Sequence, residues 1–341
     1  MLTSVGPQAT LRALAAGDFS QIARQLAQDG LTAILPAPGM LRLTPSVPAT
    51  MRLLISIGVH GNETAPIEMM AAVLDALRQS PDLLAVDLLI VVGNPAAVAR
   101  GARFIDADLN RLFTTERGAL RGAAEAARAD VIMQASADFL EGDASQKWHL
   151  DLHSAIRPSR YARFAVVPAQ ADDATQVPMI AWLGSAAIDA VLFNSGRAST
   201  YSAFTVRESG AFACTVELGQ VGVLGENPAD QLQQTQAAML RLLRGQPNAA
   251  GGMMPVRFRV AQEIIKRSDD FRMTIDGAAH NFTALAPHAV IATDGGMTMR
   301  VGDVPEYVVF PNPKVLVGQR AGLMVVREDG ASANTAPVDQ Q

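Results

Sequence analysis

The sequence predicts an α/β protein, with a mixed, mainly parallel sheet covered by helices and a small C-terminal β domain. Three observations carry that prediction. From Met51, apolar runs such as "RLLISI" and "VDLLIVV" alternate with stretches like "APIEMMAAVLDALRQS", whose apolar residues recur at helical spacing. The Gly/Pro-rich "QPNAAGGMMP" (246–255) then interrupts the alternation. Beyond it come only short strand signals, among them "VRFRVAQEIIKRS", "AVIATDG", "YVVFP" and "AGLMVVRE".

The elements follow in order. "DFSQIARQLAQD" (18–29) reads as a helix that ends before Gly30, and "LTAILPAPGMLRLTP" holds strand-like pieces. Residues 1–50 are expected to pack on the core as this helix and these strands. The main α/β domain is expected over 51–250, the small β domain over 251–328, and a mobile polar tail over 329–341. Within the main domain, 93–113 reads as a loop rich in Arg and Asp, followed by a helix through "AAEAARADVIMQASADFLEG". "KWHLDLH", "RFAVVP", "MIAWLGSAAIDAVLF" and "AFACTVELG" come next, and "NPADQLQQTQAAMLRLLRG" forms the last helix.

The bulk numbers narrow the function classes. With 341 residues, 49% hydrophobic and 18% charged, the chain can bury a large core and is not of a disordered type. A net charge of −5 without a long basic run argues against nucleic acid as a partner. No apolar stretch reaches the ~18–20 residues of a membrane span, and the N-terminus lacks the basic start and apolar segment of a signal peptide. Cys214 is the only cysteine, so no intrachain disulfide can form. These features together point to the cytoplasm, and they are compatible with a homo-oligomer.

"GVHGNET" (58–64) sits where an apolar strand gives way to a helix, a common place for functional groups. It offers His60 and Glu63. In "KWHLDLHS" (147–154) strand alternation puts His149, Asp151 and His153 on one face and Trp148, Leu150 and Leu152 on the other. His153 comes last, at the C-terminal end where open α/β sheets hold ligands. Two histidines and a glutamate with one position left for water are the protein ligands a catalytic zinc needs. Asp151, two residues before His153, suits a partner that steers a ligand imidazole.

In "AFACTVELG" Glu217 shares a face with Ala211, Ala213 and Thr215, while Cys214 points the other way into core packing. Glu217 by itself reads equally as a solvated strand end, a core ion pair or a working carboxylate. The 93–113 segment adds Arg103, Asn110 and Arg111, which can fork around carboxylates. Arg157 directly follows "HSAI", and Arg207 lies ten residues before Glu217. Arginines beside each of these stretches in an acidic protein suggest a small, multiply anionic substrate.

The motifs "GVHGNE", "GNP", "DADLNR", "HLDLHSAIR" and "ACTVELG", in this order, make the chain similar to the succinylglutamate desuccinylase and aspartoacylase family of zinc carboxypeptidase-like hydrolases. "EYVVFPNPKVLVGQRAGLMV" resembles the desuccinylase branch in particular, and the likeness runs from about residue 50 to residue 327. The resemblance implies one Zn2+ per chain on His60, Glu63 and His153, with Glu217 as the catalytic carboxylate. It implies that Arg103 polarises the scissile carbonyl, and that Asn110, Arg111 and Arg207 bind the carboxylates of the amino-acid part. Arg157 is the candidate for the third carboxylate. The implied reaction is hydrolysis of N-succinyl-L-glutamate to succinate and L-glutamate, the last step of arginine breakdown through succinylation. Alternatives are a related deacylase such as an aspartoacylase, a peptide-cleaving carboxypeptidase, and a zinc-binding protein without catalysis. A carboxypeptidase would need fewer arginines, and a structural zinc site would need no Glu217.

Overall fold

The structure is a computed structural model and describes residues 7–168, 177–194, 196, 198–228, 230–247, 252–276 and 278–328. The 329–341 tail and residues 248–251 of the Gly/Pro-rich joint therefore lie outside the described residues. The chain divides into two compact units, up to Pro255 and from Val256.

The first unit begins with α1 (Pro7–Ala16), α2 (Ser20–Gln28), β1 (Thr32–Ile34) and β2 (Met40–Thr44). It continues through β3 (Met51–Ile57), α3 (Ala65–Gln79), β4 (Asp87–Val92), α4 (Pro95–Arg100) and α5 (Ala124–Leu140). β5 (Gln146–Ala155), β6 (Arg163–Pro168), α6 (Val177–Ser185), β7 (Ala190–Asn194), α7 (Tyr201–Ser209), β8 (Phe212–Gln220) and α8 (Gln233–Leu243) complete it. Its strands lie in the order β1-β2-β4-β3-β5-β8-β6-β7. The central β4-β3-β5-β8 run is parallel, while β2 and β6 flank it antiparallel. A mixed, mainly parallel sheet is thus what the alternation of strand and helix patterns produces.

Both faces of the sheet are covered. Leu53, Ile55, Trp148, Leu150, Cys214 and Val216 point into a core shared with α1, α2, α3, α6 and α8. The opposite face packs Leu54, Leu89 and Val91 against α5 and α7 through Ala129, Ile132, Tyr201 and Phe204. Strands buried on both sides are apolar along most of their length. That makes the polar exceptions on the second face, Ser56, His149, Asp151 and His153, conspicuous, because all are buried.

The structure adds three helices to the sequence reading. α1 precedes the expected first helix. α4 occupies the start of the supposed loop, with Pro95 at its first turn and Asn94 Oδ1 accepting the Ala97 N–H at 3.1 Å. α7 fills "YSAFTVRES", capped by the Thr200 hydroxyl and stopped by Gly210 in the left-handed region. "MIAWLGSAAIDAVLF" divides into α6 and β7.

The second unit contains β9 (Val256–Ile265), β10 (Arg272–Met273), β11 (Thr283–Leu285), β12 (Val290–Asp294), β13 (Met297–Arg300), β14 (Glu306–Val309) and β15 (Arg320–Arg327). β9-β15-β14-β11 pair antiparallel, and β10-β12-β13 form a separate three-stranded sheet. Gly295 and Gly296, both at positive φ, make the tight two-residue turn between β12 and β13. Ile264, Phe271, Ile291, Val308 and Met324 supply its core.

Candidate active site

β3, β5 and β8 are parallel neighbours, so the segments that leave their C-terminal ends gather at one edge. The chain leaves β3 through Gly58, at φ +59°, into the turn that carries His60 and Glu63. Gly61 in that turn lies against α4, where a Cβ would come within 2.1 Å of the Ala97 carbonyl carbon. Only glycine permits this approach. His153 lies two residues before the end of β5, opposite Glu217 of β8, its register partner.

His60, Glu63 and His153 converge, all buried, with candidate ligand atoms within 4.8 Å of one another. The two Nδ1 atoms are 3.2 Å apart, and Glu63 lies 2.8 Å from each of them, through Oε1 to His60 and Oε2 to His153. Ligand atoms ~2.0–2.1 Å from a tetrahedral ion lie ~3.3 Å from one another, so the spacing suits one metal ion. The outer nitrogens face carboxylates: His60 Nε2 lies 2.9 Å from Asp108 Oδ1, and His153 Nε2 3.0 Å from Asp151 Oδ2. With a metal ion held by Glu63 and the two Nδ1 atoms, each imidazole would keep its proton on Nε2, toward the accepting carboxylate, and present the Nδ1 lone pair to the ion.

The charges follow from this arrangement. Burial works to raise the Glu63 carboxyl, but His153 and His60 outweigh it and hold it well below the ordinary range. Burial and the nearby Glu63 push Glu217 up to about 7, against the pull of His153, His60 and Arg103. Glu217 Oε2 is buried without a hydrogen-bond partner. A carboxyl poised near neutrality beside a candidate metal position can take up and release a proton in turn.

Arg103 reaches the cluster, donating from Nη1 to Glu63 Oε1 at 2.9 Å, with Nη2 3.6 Å from Asp108 Oδ2. Asn110 is buried and its Oδ1 accepts the Tyr201 N–H at 2.8 Å. That bond fixes the amide's orientation and directs Nδ2 as the donor. Arg111 follows it, bonded from Nη1 to the Asn110 carbonyl at 3.0 Å. Arg157 is partly exposed just beyond β5 and hydrogen-bonds no described residue.

Arg207 is not brought to the cluster. It sits in the last turn of α7 and donates to Glu208 Oε1 at 2.7 Å and to the Phe113 carbonyl at 3.3 Å. β8 starts three residues after that turn, and Phe212 precedes Glu217 by five strand residues, ~16 Å at 3.3 Å per residue.

Two organising residues are not among the candidates read from the sequence. Asp108 orients His60 and also accepts the Asn110 N–H at 2.9 Å, an Asx pattern present in "DADLN". Glu125, buried at the start of α5, accepts the N–H groups of Ile105 (2.6 Å), Asp106 (3.2 Å) and Ala107 (3.1 Å), besides Asn94 Nδ2 (3.2 Å). Its partners lie 18 to 31 residues away in sequence, so no local pattern marks it.

Residues 49–243 match the succinylglutamate desuccinylase/aspartoacylase catalytic domain, and residues 254–328 match the AstE/AspA barrel-sandwich hybrid domain. The chain belongs to this family. Membership makes it an enzyme of an amide-hydrolase group. It is 40% identical over 293 residues to a succinylglutamate desuccinylase of Burkholderia pseudomallei (strain 1710b), covering 84% of each chain. It is 37% identical over 293 residues to one from Erwinia tasmaniensis, covering 85% of this chain and 89% of the relative. The crystal structure of succinylglutamate desuccinylase from Vibrio cholerae superposes with a TM-score of 0.82 at 34% identity, over 88% of each chain. The α/β fold with its C-terminal β unit is therefore the fold of the family. Among the described residues no helix is long and apolar enough to cross a membrane.

Proposed function

We propose that the chain is a zinc-dependent hydrolase that cleaves the amide of N-succinyl-L-glutamate to succinate and L-glutamate. The observation that carries this reading is the meeting of His60, Glu63 and His153 near the C-terminal ends of the parallel strands, with Glu217 of β8 in register with His153. Two imidazoles and one carboxylate are the donor set of a hydrolytic zinc. Zinc, when bound, supplies Lewis acidity and a water of lowered pKa.

The chain's own groups do the rest. Glu217 accepts a proton from the attacking water and returns it to the departing glutamate nitrogen. Arg103 stabilises the negative charge that develops on the scissile carbonyl oxygen, a contact typically worth ~10²–10³ in rate. Asn110 Nδ2 and Arg111 hold the glutamate carboxylates, and Arg157 takes the carboxylate of the succinyl arm. Arg207, which the resemblance adds to this set, bonds Glu208 and the Phe113 carbonyl in this structure, and we leave it out of the reading. On this reading the reaction is the last step of arginine breakdown through succinylation, as the resemblance of the motifs implies. With Cys214 as the only cysteine no intrachain disulfide can form, which suits a reducing cytoplasm as the compartment we propose.

The test is release of free amine from succinyl-, acetyl- and formyl-glutamate and the matching aspartates by the zinc-loaded protein. Succinylglutamate is expected to exceed acetylglutamate in kcat/KM by at least ~10-fold, about 1.4 kcal/mol, the worth of one charge-assisted hydrogen bond. Equal rates on both would replace this reading with that of a broader N-acyl amino acid deacylase, a reading the shared aspartoacylase domain supports.

A further inference from the structure

Behind His153 a chain of buried polar groups runs away from the edge of the sheet into the second core. Asp151 is fully buried, and its Oδ2 lies 3.0 Å from His153 Nε2, off the axis of a well-aligned hydrogen bond. Neither atom has another partner. Asp151 Oδ1 accepts the hydroxyl of Ser56, its register partner on β3, at 2.5 Å. Ser56 Oγ lies 2.9 Å from His149 Nε2, and His149 Nδ1 lies 2.8 Å from Thr205 Oγ1 on α7. His149 is wholly buried, and the Tyr201 ring packs edge-on against it at 4.4 Å.

Counting protons fixes the direction of every link. The Asp151 carboxylate can only accept, so the single Ser56 proton goes to it. The Ser56 oxygen must then accept from His149, which places that imidazole's proton on Nε2. Burial pushes the His149 pKa down to about 4, so the ring is neutral and Nδ1 can only accept. The Thr205 hydroxyl therefore donates to it instead of to the Ser202 carbonyl, 3.1 Å away. The order runs Thr205 → His149 → Ser56 → Asp151, every donor pointing at the carboxylate that faces the ligand histidine.

We propose that His149 and Thr205 are positioning residues for the metal site: the one-way chain they begin holds Asp151 in place, and through it the ring of His153. Nothing in an amide hydrolysis needs these two side chains near the substrate, and neither touches the cluster. They act by setting which way Ser56 and Asp151 point, and so which nitrogen of His153 is free to bind. The inference rests on the reading of His60, Glu63 and His153 as metal ligands.

The decisive variant is Thr205→Val, which keeps the shape and removes the proton, with Thr205→Ser restoring it. His149→Phe breaks the chain one link closer. The readouts are zinc affinity by chelator competition, the visible spectrum of the cobalt(II)-loaded protein, and thermal unfolding of the metal-free protein. Outer partners of metal ligands are typically worth 10–100-fold in affinity. Thr205→Val is expected to weaken zinc by roughly tenfold, at the low end of that range, and to shift the cobalt bands, with the metal-free melting point nearly unchanged. Thr205→Ser should return both to near wild type. Wild-type affinity and spectrum in Thr205→Val and in folded His149→Phe would overturn the proposal. Equal losses in Thr205→Val and Thr205→Ser would also overturn it, by tracing the effect to packing. A wild-type protein that binds no zinc through His153 would instead sink the metal reading beneath it.

Discussion

β5 and the segment from Asn94 to Phe113 supply comparable numbers of polar groups to the same site, yet they are built on opposite principles. On β5 the backbone decides where side chains point. Each second residue faces the same side, so His149, Asp151 and His153 line up whatever else the chain does. Beyond α4, in 101–113, no long strand or helix sets direction. There, a remote carboxylate gathers three consecutive N–H groups at 105–107 and holds Arg103, Asp108, Asn110 and Arg111 near the histidines. A strand carries its own orientation, whereas a functional loop borrows one from elsewhere in the fold.

The largest expected effect tests the strand half. His153→Ala removes a ligand that the β5 alternation delivers to the edge. Structural zinc sites bind with ~10–16 kcal/mol over four ligands, so one ligand is worth roughly 3–4 kcal/mol, about 10²–10³ in affinity. Amine release should fall to background, and zinc measured after dialysis should be substoichiometric. A variant that retains full zinc would remove β5 from the metal site.

Next comes Glu217→Gln, on the neighbouring strand. It should keep fold and zinc while kcat drops by ~10²–10⁴, the range for a positioned acid–base group. The raised carboxyl of Glu217, pushed up to about 7, works as a base only when ionised. Wild-type kcat/KM should therefore fall as the pH drops through that region. A pH–rate profile that stays flat down to pH 5 would assign the proton to another group.

Glu125→Ala tests the loop half. It leaves three backbone donors and Asn94 without their acceptor and frees the segment carrying Arg103 and Asn110. Displacements of about 1 Å far from the chemistry can cost ~10²-fold, so kcat/KM is expected to fall by roughly 10–100-fold. Zinc binding should change less, because His60 and Glu63 sit on the turn after β3 and His153 on β5, and of the histidines' outer partners only Asp108, beside His60 Nε2, belongs to the freed segment. Loss of zinc equal to the loss of activity would mean that the loop and the strand are one device, and the contrast between them would be gone.

That contrast also accounts for how much of the site could be read in the sequence. The sheet, the turn at 58–64, His153 and Glu217 were legible because apolar alternation marks the strands and polar residues interrupt it at fixed spacing. Ser56 belonged to the same class of signal, a hydroxyl inside "RLLISI", but its meaning needed the β3–β5 register, which pairs it with Asp151. Glu125 was illegible for a physical reason: its partners are set by tertiary packing across 18 to 31 residues. α4 and α7 were missed because they are short, at 6 and 9 residues, and are held by caps and neighbours more than by a strong apolar stripe.

Arg157→Met is expected to give a smaller effect, confined to specificity. It should shrink the preference for succinyl over acetyl substrates towards unity, with zinc content unchanged. A preference that persists at ~10-fold would assign the succinyl carboxylate to another donor.

The smallest effect is expected at Arg207, which the family resemblance, and its place ten residues before Glu217, put among the carboxylate binders. Ten residues separate Arg207 from Glu217, but they include a helix end, a reversing turn and half a strand. The N-terminus of α7 is the end beside the site, where Tyr201 N–H meets Asn110 and the Ser202 hydroxyl lies 2.9 Å from that of Thr215. Six residues further along a helix rising 1.5 Å each place Arg207 ~9 Å away from that end. Its guanidinium there is partly exposed and bound to Glu208 and the Phe113 carbonyl. An exposed ion pair is worth 0–1 kcal/mol, so Arg207→Ala should cost little stability. It should leave kcat/KM for succinylglutamate within about threefold of wild type, less than the ~10-fold expected from losing one charge-assisted substrate contact. A drop of 10²-fold with KM raised and zinc retained would show that α7 turns this side chain into the site when substrate binds. The family resemblance would then have been the better guide.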